Sequence, residues 1–600
     1  MLELRLSSTA GKVALSCDQE RTASLQALRH QFPSASSVSN LEFEVSLDEF
    51  LVNLRQLAAW AKFDTDFRWQ DELRKLVESN ARDADLVQAR LSAGSAFPLP
   101  SPVLDIGTWH APLTEFQKTN IQKLLSMHHS ANFSVPGAGK TRVTLAVFAA
   151  RRLAGAVVRM LVVCPKAAFE SWVSESAECF QENPLSVAVM DTGVPPLGDI
   201  ILVNYERLPE ARAALIGWLR MQSAMLVLDE AHRMKLGPAG AWGAACLSLG
   251  PYASHRMILT GTPAPNGAAD LENLFTFVWP GQGRRSVANA LAGNDLATAS
   301  KLLRPLFCRT TKADLNLPLV TVRVRRIILP PLHRELYNAL LGQFSGSLRG
   351  GEADIESLGK VLLYLLMAAT SPALIATGAS RHEPLAYRIP PLSPPRGSTL
   401  SDLMRDLPQY ELPPKHMEVL KIVSENAARG RKTLVWSTFV RNLKSLESLL
   451  MRFRPALVHG GSTDRAEQLQ KFRTDPSCFV LLSNPATLGE GVSLHHECHD
   501  AVYVDRDFSA GRYLQSLDRI HRLGLAPDAE TIIHVLVADA TIDEIIEQRL
   551  AAKLGFMGGI LDDPAVVELA DLIEEPSESI GMDGKDRDEL LSYLANNAAS

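Results

Sequence analysis

Short, nearly unbroken runs of aliphatic and β-branched residues recur along the chain, separated by stretches of helical periodicity. Four such runs fall in the first half, at Met160–Val163, Ile200–Val203, Ala224–Leu228 and Met257–Leu259. Five more follow at Thr433–Ser437, Ala456–Val458, Phe479–Leu482, Ala501–Val504 and Thr531–Val537. A strand buried on both faces has no polar alternation to show, and its alternation with helices predicts a parallel sheet covered by helices. The expected fold class is therefore α/β, with two parallel-sheet lobes in tandem. Residues 1–105 have mixed patterning, with helical periodicity at Leu47–Ala61 and Glu72–Leu91, and end in a linker, Ala96–Pro102. They read as an N-terminal accessory domain, a surface for a protein partner. The lobes are expected at 106–320 and 413–555, joined by a helical and proline-rich region at 321–412 that contains Arg388–Arg396. The most apolar stretch, Val361–Ala376, is shorter than the roughly 20 residues a membrane span needs and is broken by Ser371-Pro372, so it reads as a buried helix.

Composition sharpens this outline in two places. The seven cysteines form no Cys-x-x-Cys pair, which points to a reducing, cytoplasmic setting (nucleoid-associated in a bacterium) and against a zinc site. The start, Met1-Leu2-Glu3-Leu4-Arg5, lacks the pattern of a signal peptide. Net charge is −6, but residues 561–600 hold eleven acids and two bases, which leaves the rest mildly basic. The body therefore tolerates a nucleic-acid backbone, and 556–600 reads as an acidic tail, solvated or mimicking DNA.

Candidate chemistry sits at the ends of the apolar runs. In Ser134-Val135-Pro136-Gly137-Ala138-Gly139-Lys140-Thr141 the glycines let backbone N–H groups turn toward an anion, ahead of a helix whose positive end faces the same way. Lys140 would pair with β and γ phosphates, and the Thr141 hydroxyl would ligate Mg²⁺. Asp229 and Glu230 end an apolar strand, where α/β sheets place ligand chemistry. Asp229 would hold Mg²⁺ through water and Glu230 would polarise the attacking water. His128-His129, His495-His496 and Trp172 read as structural, since adjacent histidines are expected to point to different faces.

The series Leu113–Gln117, the loop at 134–141, Val162-Val163-Cys164-Pro165, Asp229-Glu230-Ala231-His232 and Leu259-Thr260-Gly261-Thr262-Pro263 stands in the order of the superfamily-two helicase motifs. With Gln515 and Asp518-Arg519-Ile520-His521-Arg522-Leu523-Gly524, the chain resembles the Swi/Snf-related ATPases of that superfamily. Further local matches are Phe307–Lys312, Ser371–Leu374 and His459–Thr463.

The resemblance covers about 110–555 and implies RecA-like lobes using ATP and Mg²⁺. It implies that Gln117, Gly491 and Gln515 touch nucleotide, beside Pro136, Gly137, Ala138 and Gly139 of the loop. Arg519 and Arg522 would neutralise charge on the γ-phosphate, an arginine-finger role worth ~10³ or more in rate. Pro165, Lys166, His232, Thr260, Gly261, Thr262, Ser483 and Ser493 would touch the nucleic-acid backbone or couple it to the nucleotide site. Departures from the family pattern are Thr114-Glu115, Pro136, Ser134 in place of a first glycine, and Leu525. The implied activity is ATP-dependent translocation along duplex DNA, remodelling or displacing what is bound, in a bacterial defence or repair setting. A strand-separating DNA or RNA helicase and an ATP-gated clamp recruiting an effector are the competing readings.

Overall fold

The computed structural model describes residues 1–9, 11–61, 67–93, 106, 109–181, 184–261, 263, 268–293, 295–311, 314, 315, 317, 318, 320–348, 355–377, 379, 383, 387–406, 412–488, 494–521, 525, 526, 529–561 and 584–596. Two compact units divide it, Met1–Asp314 and Leu315–Gly558, and the C-terminal helix Gly584–Asn596 belongs to the second.

The first unit opens with a mixed sheet: β1 (Leu2–Leu6), β2 (Lys12–Cys17), β3 (Ser36–Ser39), β4 (Glu42–Ser46) and β5 (Phe67–Trp69), in the order β3-β4-β2-β1-β5. Only β1 and β5 pair in parallel; the rest are antiparallel. Alternate residues face one core, Leu2 and Leu4, Val13 and Leu15, Phe43 and Val45, packed on Leu25, Leu28, Phe50 and Trp60. The periodicity over Leu47–Ala61 resolves into a helix at Leu47–Val52 and two short turns of helix, because the chain leaves helical geometry at Asn53. The long helix Asp71–Ala93 appears as expected and is tied to the next layer, where the Asn80 amide and Arg90 guanidinium donate to the Pro280 and Pro305 carbonyls.

That next layer is a seven-stranded sheet: β6 (Ser130–Asn132), β7 (Arg159–Val163), β8 (Val187–Val189), β9 (Ile200–Val203), β10 (Ala224–Asp229), β11 (His255–Leu259) and β12 (Phe307–Cys308). Its order is β12-β6-β11-β10-β7-β9-β8 and every pairing is parallel. The four sequence-predicted runs are its fully buried central strands. From β6 the chain crosses over β11 and β10 to build β7, so the carboxyl ends of these strands flank a reversal of strand order, where open α/β sheets bind ligands.

The second unit has six parallel strands, β13 (Val320–Ile327), β14 (Thr433–Trp436), β15 (Ala456–Val458), β16 (Val480–Ser483), β17 (Asp500–Tyr503) and β18 (Thr531–Ala538), in the order β13-β18-β17-β14-β16-β15. Two apolar cores cover its faces, one around Trp436, Leu481 and Ile533, the other around Val435, Leu482 and Val502. The helix Ile355–Thr370 is buried over most of its described face, breaks at Ser371-Pro372 and resumes at Ala373–Ala376. Among the described residues no helix is long and apolar enough to cross a membrane.

Within the acidic C-terminal stretch, the described residues 584–596 depart from a solvated tail, and residues 562–583 and 597–600 lie outside the described residues. Residues Gly584–Asn596 form a helix that buries Leu590 and Leu594 and bonds Tyr593 to Tyr337 at 3.1 Å. Asp586 is fully buried, accepting from Arg549 Nε at 2.6 Å and Lys553 Nζ at 2.7 Å. Counting acids hid this docking face, because Leu590, Tyr593 and Leu594 lie on one side of the helix at i, i+3, i+4 spacing.

Candidate active site

Between β6 and the helix Lys140–Leu153 the backbone turns on two left-handed glycines, Gly137 at φ 83° and Gly139 at φ 75°. Residues with a Cβ are strained there, which is why the loop needs glycine at both points. Gly139 is the helix N-cap, and so brings the loop directly onto the helix N-terminus. Lys140 Nζ donates to the Ser134 carbonyl at 3.1 Å, folding back over its own loop. Ser134, which stands where a glycine is usual, accepts the Thr310 N–H on its hydroxyl at 3.0 Å, so the departure anchors the loop to the chain after β12. Thr141 lies in the first helical turn, partly exposed, where its hydroxyl can serve a cation.

Two neighbours hold this loop. Gln117 is buried at the start of the helix Glu115–Leu125, with its amide nitrogen against Gly139. Its Oε1 is engaged in a capping box, accepting the Thr114 N–H at 3.0 Å, so one end of the side chain is structural and the other faces the loop. Gly261 is pressed on Pro136: a Cβ there would stand 2.8 Å from Pro136 Cδ. The proline that departs from the family pattern is thus the contact between the phosphate loop and the segment after β11.

Asp229 ends β10, and Glu230 follows at φ 51°, ψ 51°, a left-handed position costing on the order of 1–3 kcal/mol for a residue with a Cβ. That turn aims two successive carboxylates differently. Asp229 Oδ2 accepts from Trp172 Nε1 at 2.9 Å, and Oδ1 from the Glu230 N–H at 3.0 Å. Tyr205 donates to the Asp229 carbonyl at 2.9 Å. Glu230 instead faces His232 Nδ1 at 3.4 Å, and the same nitrogen lies 3.1 Å from the Thr260 hydroxyl. Burial, then the adjacent Glu230 charge, pushes Asp229 up to about 6. Burial opposes ionisation of Glu230 too, but the His232 hydrogen bond and the Lys140 charge outweigh it and pull that carboxyl down. Asp229 is thereby pushed up and Glu230 pulled down.

Sequence reasoning left several of these supports out. Trp172, read as structural, is buried and also fixes Asp229. Arg309 is buried beneath the loop, where its Nη1 donates to the Phe133 carbonyl at 2.5 Å and to Gly261 at 3.5 Å. The only sequence signal for Arg309 was its place in the Phe307–Lys312 match. His128 and His129 correct the expectation that adjacent histidines diverge. Their rings stack at 4.3 Å with His255 beside them, and both reach Asp83, at 3.0 and 3.3 Å, because they sit on bends beyond the helix rather than on one. His129 also accepts the Arg256 N–H on its other nitrogen, so it clasps the accessory helix to the lobe.

The remaining residues are distributed as follows. Pro165 is buried after β7 and Lys166 exposed. Thr260, His232 and Ser483 are fully buried, and Ser483 donates to the Val458 carbonyl at 2.7 Å, holding the ends of β16 and β15. Gln515 lies on the helix Ala510–Leu517; Arg519 follows it in a turn, buried, its carbonyl accepting the Leu494 N–H at 2.8 Å. His521 lies 2.6 Å from the Pro318 carbonyl. Thr262, Gly491, Ser493 and Arg522 fall outside the described residues.

An SNF2-related domain profile matches residues 133–369 and a helicase conserved C-terminal domain profile matches 414–524. This chain belongs to the SNF2-related ATPases. Similar proteins include Protein CHROMATIN REMODELING 4 of Arabidopsis thaliana, 27% identical over 59% of this chain and 16% of that protein. Transcription regulatory protein SNF2 of Saccharomyces cerevisiae is 24% identical over 67% of this chain and 24% of its own length. TATA-binding protein-associated factor MOT1 of the same yeast is 23% identical over 79% and 28%. The chain thus spans between about a sixth and somewhat over a quarter of these relatives. Among solved structures, the Sulfolobus solfataricus SWI2/SNF2 ATPase core in complex with dsDNA matches 78% of this chain and 96% of that one at 23% identity, with a TM-score of 0.35. In this SNF2-related ATPase the first profile covers β7 to β12 and runs on through β13 into the second unit, and the second covers β14 to β17; the loop and the carboxylates lie in the first.

Proposed function

We propose that this SNF2-related ATPase is an ATP-dependent translocase on double-stranded DNA that remodels or displaces bound proteins, in a defence or repair setting. The observation that carries the reading is the chain of contacts from Glu230 through His232 to Thr260, continued by Gly261 on Pro136. It joins the group that positions water to the segment assigned to the nucleic-acid backbone, so a shift at one end is felt at the other.

The loop suits a triphosphate: two left-handed glycines, a helix N-terminus and a lysine whose hydrogen bond here is to its own loop. Thr141 and Asp229 suit Mg²⁺, which when bound neutralises phosphate charge. Lys140 would leave Ser134 to pair with the phosphates, and Glu230 would orient and polarise the attacking water. Arg519 and Arg522 are assigned to charge developing on the γ-phosphate, and Gln117, Gly491 and Gln515 to nucleotide contacts. Pro165, Lys166, Thr262, Ser483 and Ser493 are assigned to the DNA backbone or its coupling, which reads phosphates without sequence. Residues 1–105 would receive a protein partner.

ATP turnover measured in parallel with duplex, single-stranded, forked and RNA ligands tests the reading. Duplex should stimulate most, and a triplex strand should be displaced without duplex unwinding. Separation of labelled duplex strands would make the protein a helicase instead. Normal partner activity in Glu230→Gln would make it a clamp.

A further inference from the structure

The accessory sheet and the first lobe, both within the first unit, enclose a cavity of about 310 Å³ away from the phosphate loop. Its walls are mostly apolar, formed by Leu47, Leu247, Pro251, Phe277 and Pro280. That volume is at the lower end of small-molecule sites, and such sites pair apolar walls with a few placed polar groups.

One polar group here is anomalous. Arg256, on β11, is 2% exposed and lines the cavity, yet among the described residues no hydrogen bond reaches its guanidinium and its Nε is buried without a partner. The other charged groups on the walls each have at least one partner, although Glu49 Oε1 is buried without one. Asp48 accepts the Gly281 N–H at 2.6 Å, Glu49 the Ser34 N–H at 2.9 Å, and Arg284 lies 3.6 Å from Glu272. Thr276 adds a buried hydroxyl that also lacks a partner. Beyond the cavity the opposing charge felt by Arg256 is that of Asp83, which also serves His128 and His129. Leaving a buried cation unpaired costs several kcal/mol, which a matched anion recovers.

We propose that this cavity binds a small carboxylic acid with an apolar body, Arg256 serving as counter-ion to its carboxylate. The apolar walls take the body, and Thr276 is placed to donate to the same anion. Asp48 and Glu49 on one wall disfavour a second negative charge, so the ligand is a monoanion rather than a nucleotide or polyphosphate. β11 continues from Arg256 to Leu259 and into Thr260-Gly261, so an acid bound here sits at the far end of the strand that leads to the Pro136 contact. The ligand is therefore an effector, separate from the triphosphate.

4-Fluorobenzoate and neutral 4-fluorobenzyl alcohol serve as probes in fluorine NMR titrations of the full chain, with MgADP present to fill the phosphate loop. The benzoate should bind at least tenfold more tightly than the alcohol, and Arg256→Met should abolish that difference. Leu247→Trp, at a half-buried wall position, should fill the space and remove binding of both probes, which keeps the test decisive if Arg256→Met fails to fold. Equal binding of the two probes to the parent overturns the proposal. So does no binding of the benzoate, or benzoate binding that survives either folded variant.

Discussion

Trp172 reaches Asp229 from the helix Phe169–Cys179, and that bond favours the ionised carboxylate against burial and the Glu230 charge. Burial and Glu230 raise Asp229 to about 6, whereas the Trp172 donor lowers it. A folded value above the ordinary 3.8 means that the folded state holds the proton more tightly than the unfolded one. This carboxyl therefore costs stability as pH rises from about 4 to about 6, the reverse of an ion-paired acid, and a metal ion that needs it ionised binds better across the same interval. At limiting Mg²⁺, turnover of the parent should fall on acidification through about pH 6. In Trp172→Phe the acid limb should move to higher pH and Mg²⁺ affinity at neutral pH should drop, by about fivefold or more for a lost hydrogen bond to a charged group. An unshifted limb in a pH–rate profile of the variant would remove Trp172 from this role. Lys140, Asp229 and Glu230 were legible in sequence because each chemistry sits at a fixed step from a glycine turn or a strand end. Trp172, Arg309 and Tyr205 were not, since their partners lie 57, 176 and 24 residues away and no local spacing encodes those contacts.

At the level of elements, the segment after β11 meets the phosphate loop through a glycine that has no room to grow. A methyl group on Gly261 would press on Pro136 Cδ, a ring fixed in the loop backbone that cannot rotate away. Gly261→Ala should therefore shift the loop, slow DNA-stimulated turnover by about tenfold or more (about 1.4 kcal/mol) and lower the stability of the first unit by about 1–3 kcal/mol. Stopped-flow phosphate release and calorimetry separate the two effects, and full stimulation in the variant would show that the contact transmits nothing. The same scale explains what the pattern of apolar residues missed. Buried central strands announce themselves as unbroken runs. The edge strand β12 and its neighbour β6 have two and three residues, Phe307-Cys308 and Ser130-Ala131-Asn132, too short for any period to register. β13 alternates valine with arginine on a largely exposed edge, and its bounding prolines made it read as part of the linker region. The accessory sheet was hidden for a related reason: its strands bury one face only and are separated by short helices, so the pattern looked mixed.

Across the whole molecule, two units with separate cores imply two unfolding steps, and the ligands and contacts described above act on different ones. The phosphate loop and Asp229 belong to the first unit. ADP lacks the γ-phosphate assigned to the arginines, so MgADP should stabilise the first unit chiefly, by ~2.7 kcal/mol at a concentration a hundredfold above its dissociation constant. The Asp586 contacts belong to the second. Asp586→Ala leaves Lys553, 4% exposed, and Arg549 without that carboxylate, and removing one partner of a buried ion pair costs about 3–5 kcal/mol. Lys553 also donates to the Phe508 carbonyl at 3.1 Å, so the loss should spread from the C-terminal helix to the chain just before the helix Ala510–Leu517. Differential scanning calorimetry should show one transition rising with MgADP and insensitive to Asp586→Ala, and a second falling in the variant and nearly indifferent to MgADP. Hydrogen exchange assigns each transition to its residues. A single transition that responds to both changes would mean that the two cores unfold as one, and that the C-terminal helix supports the nucleotide-binding lobe as well as its own.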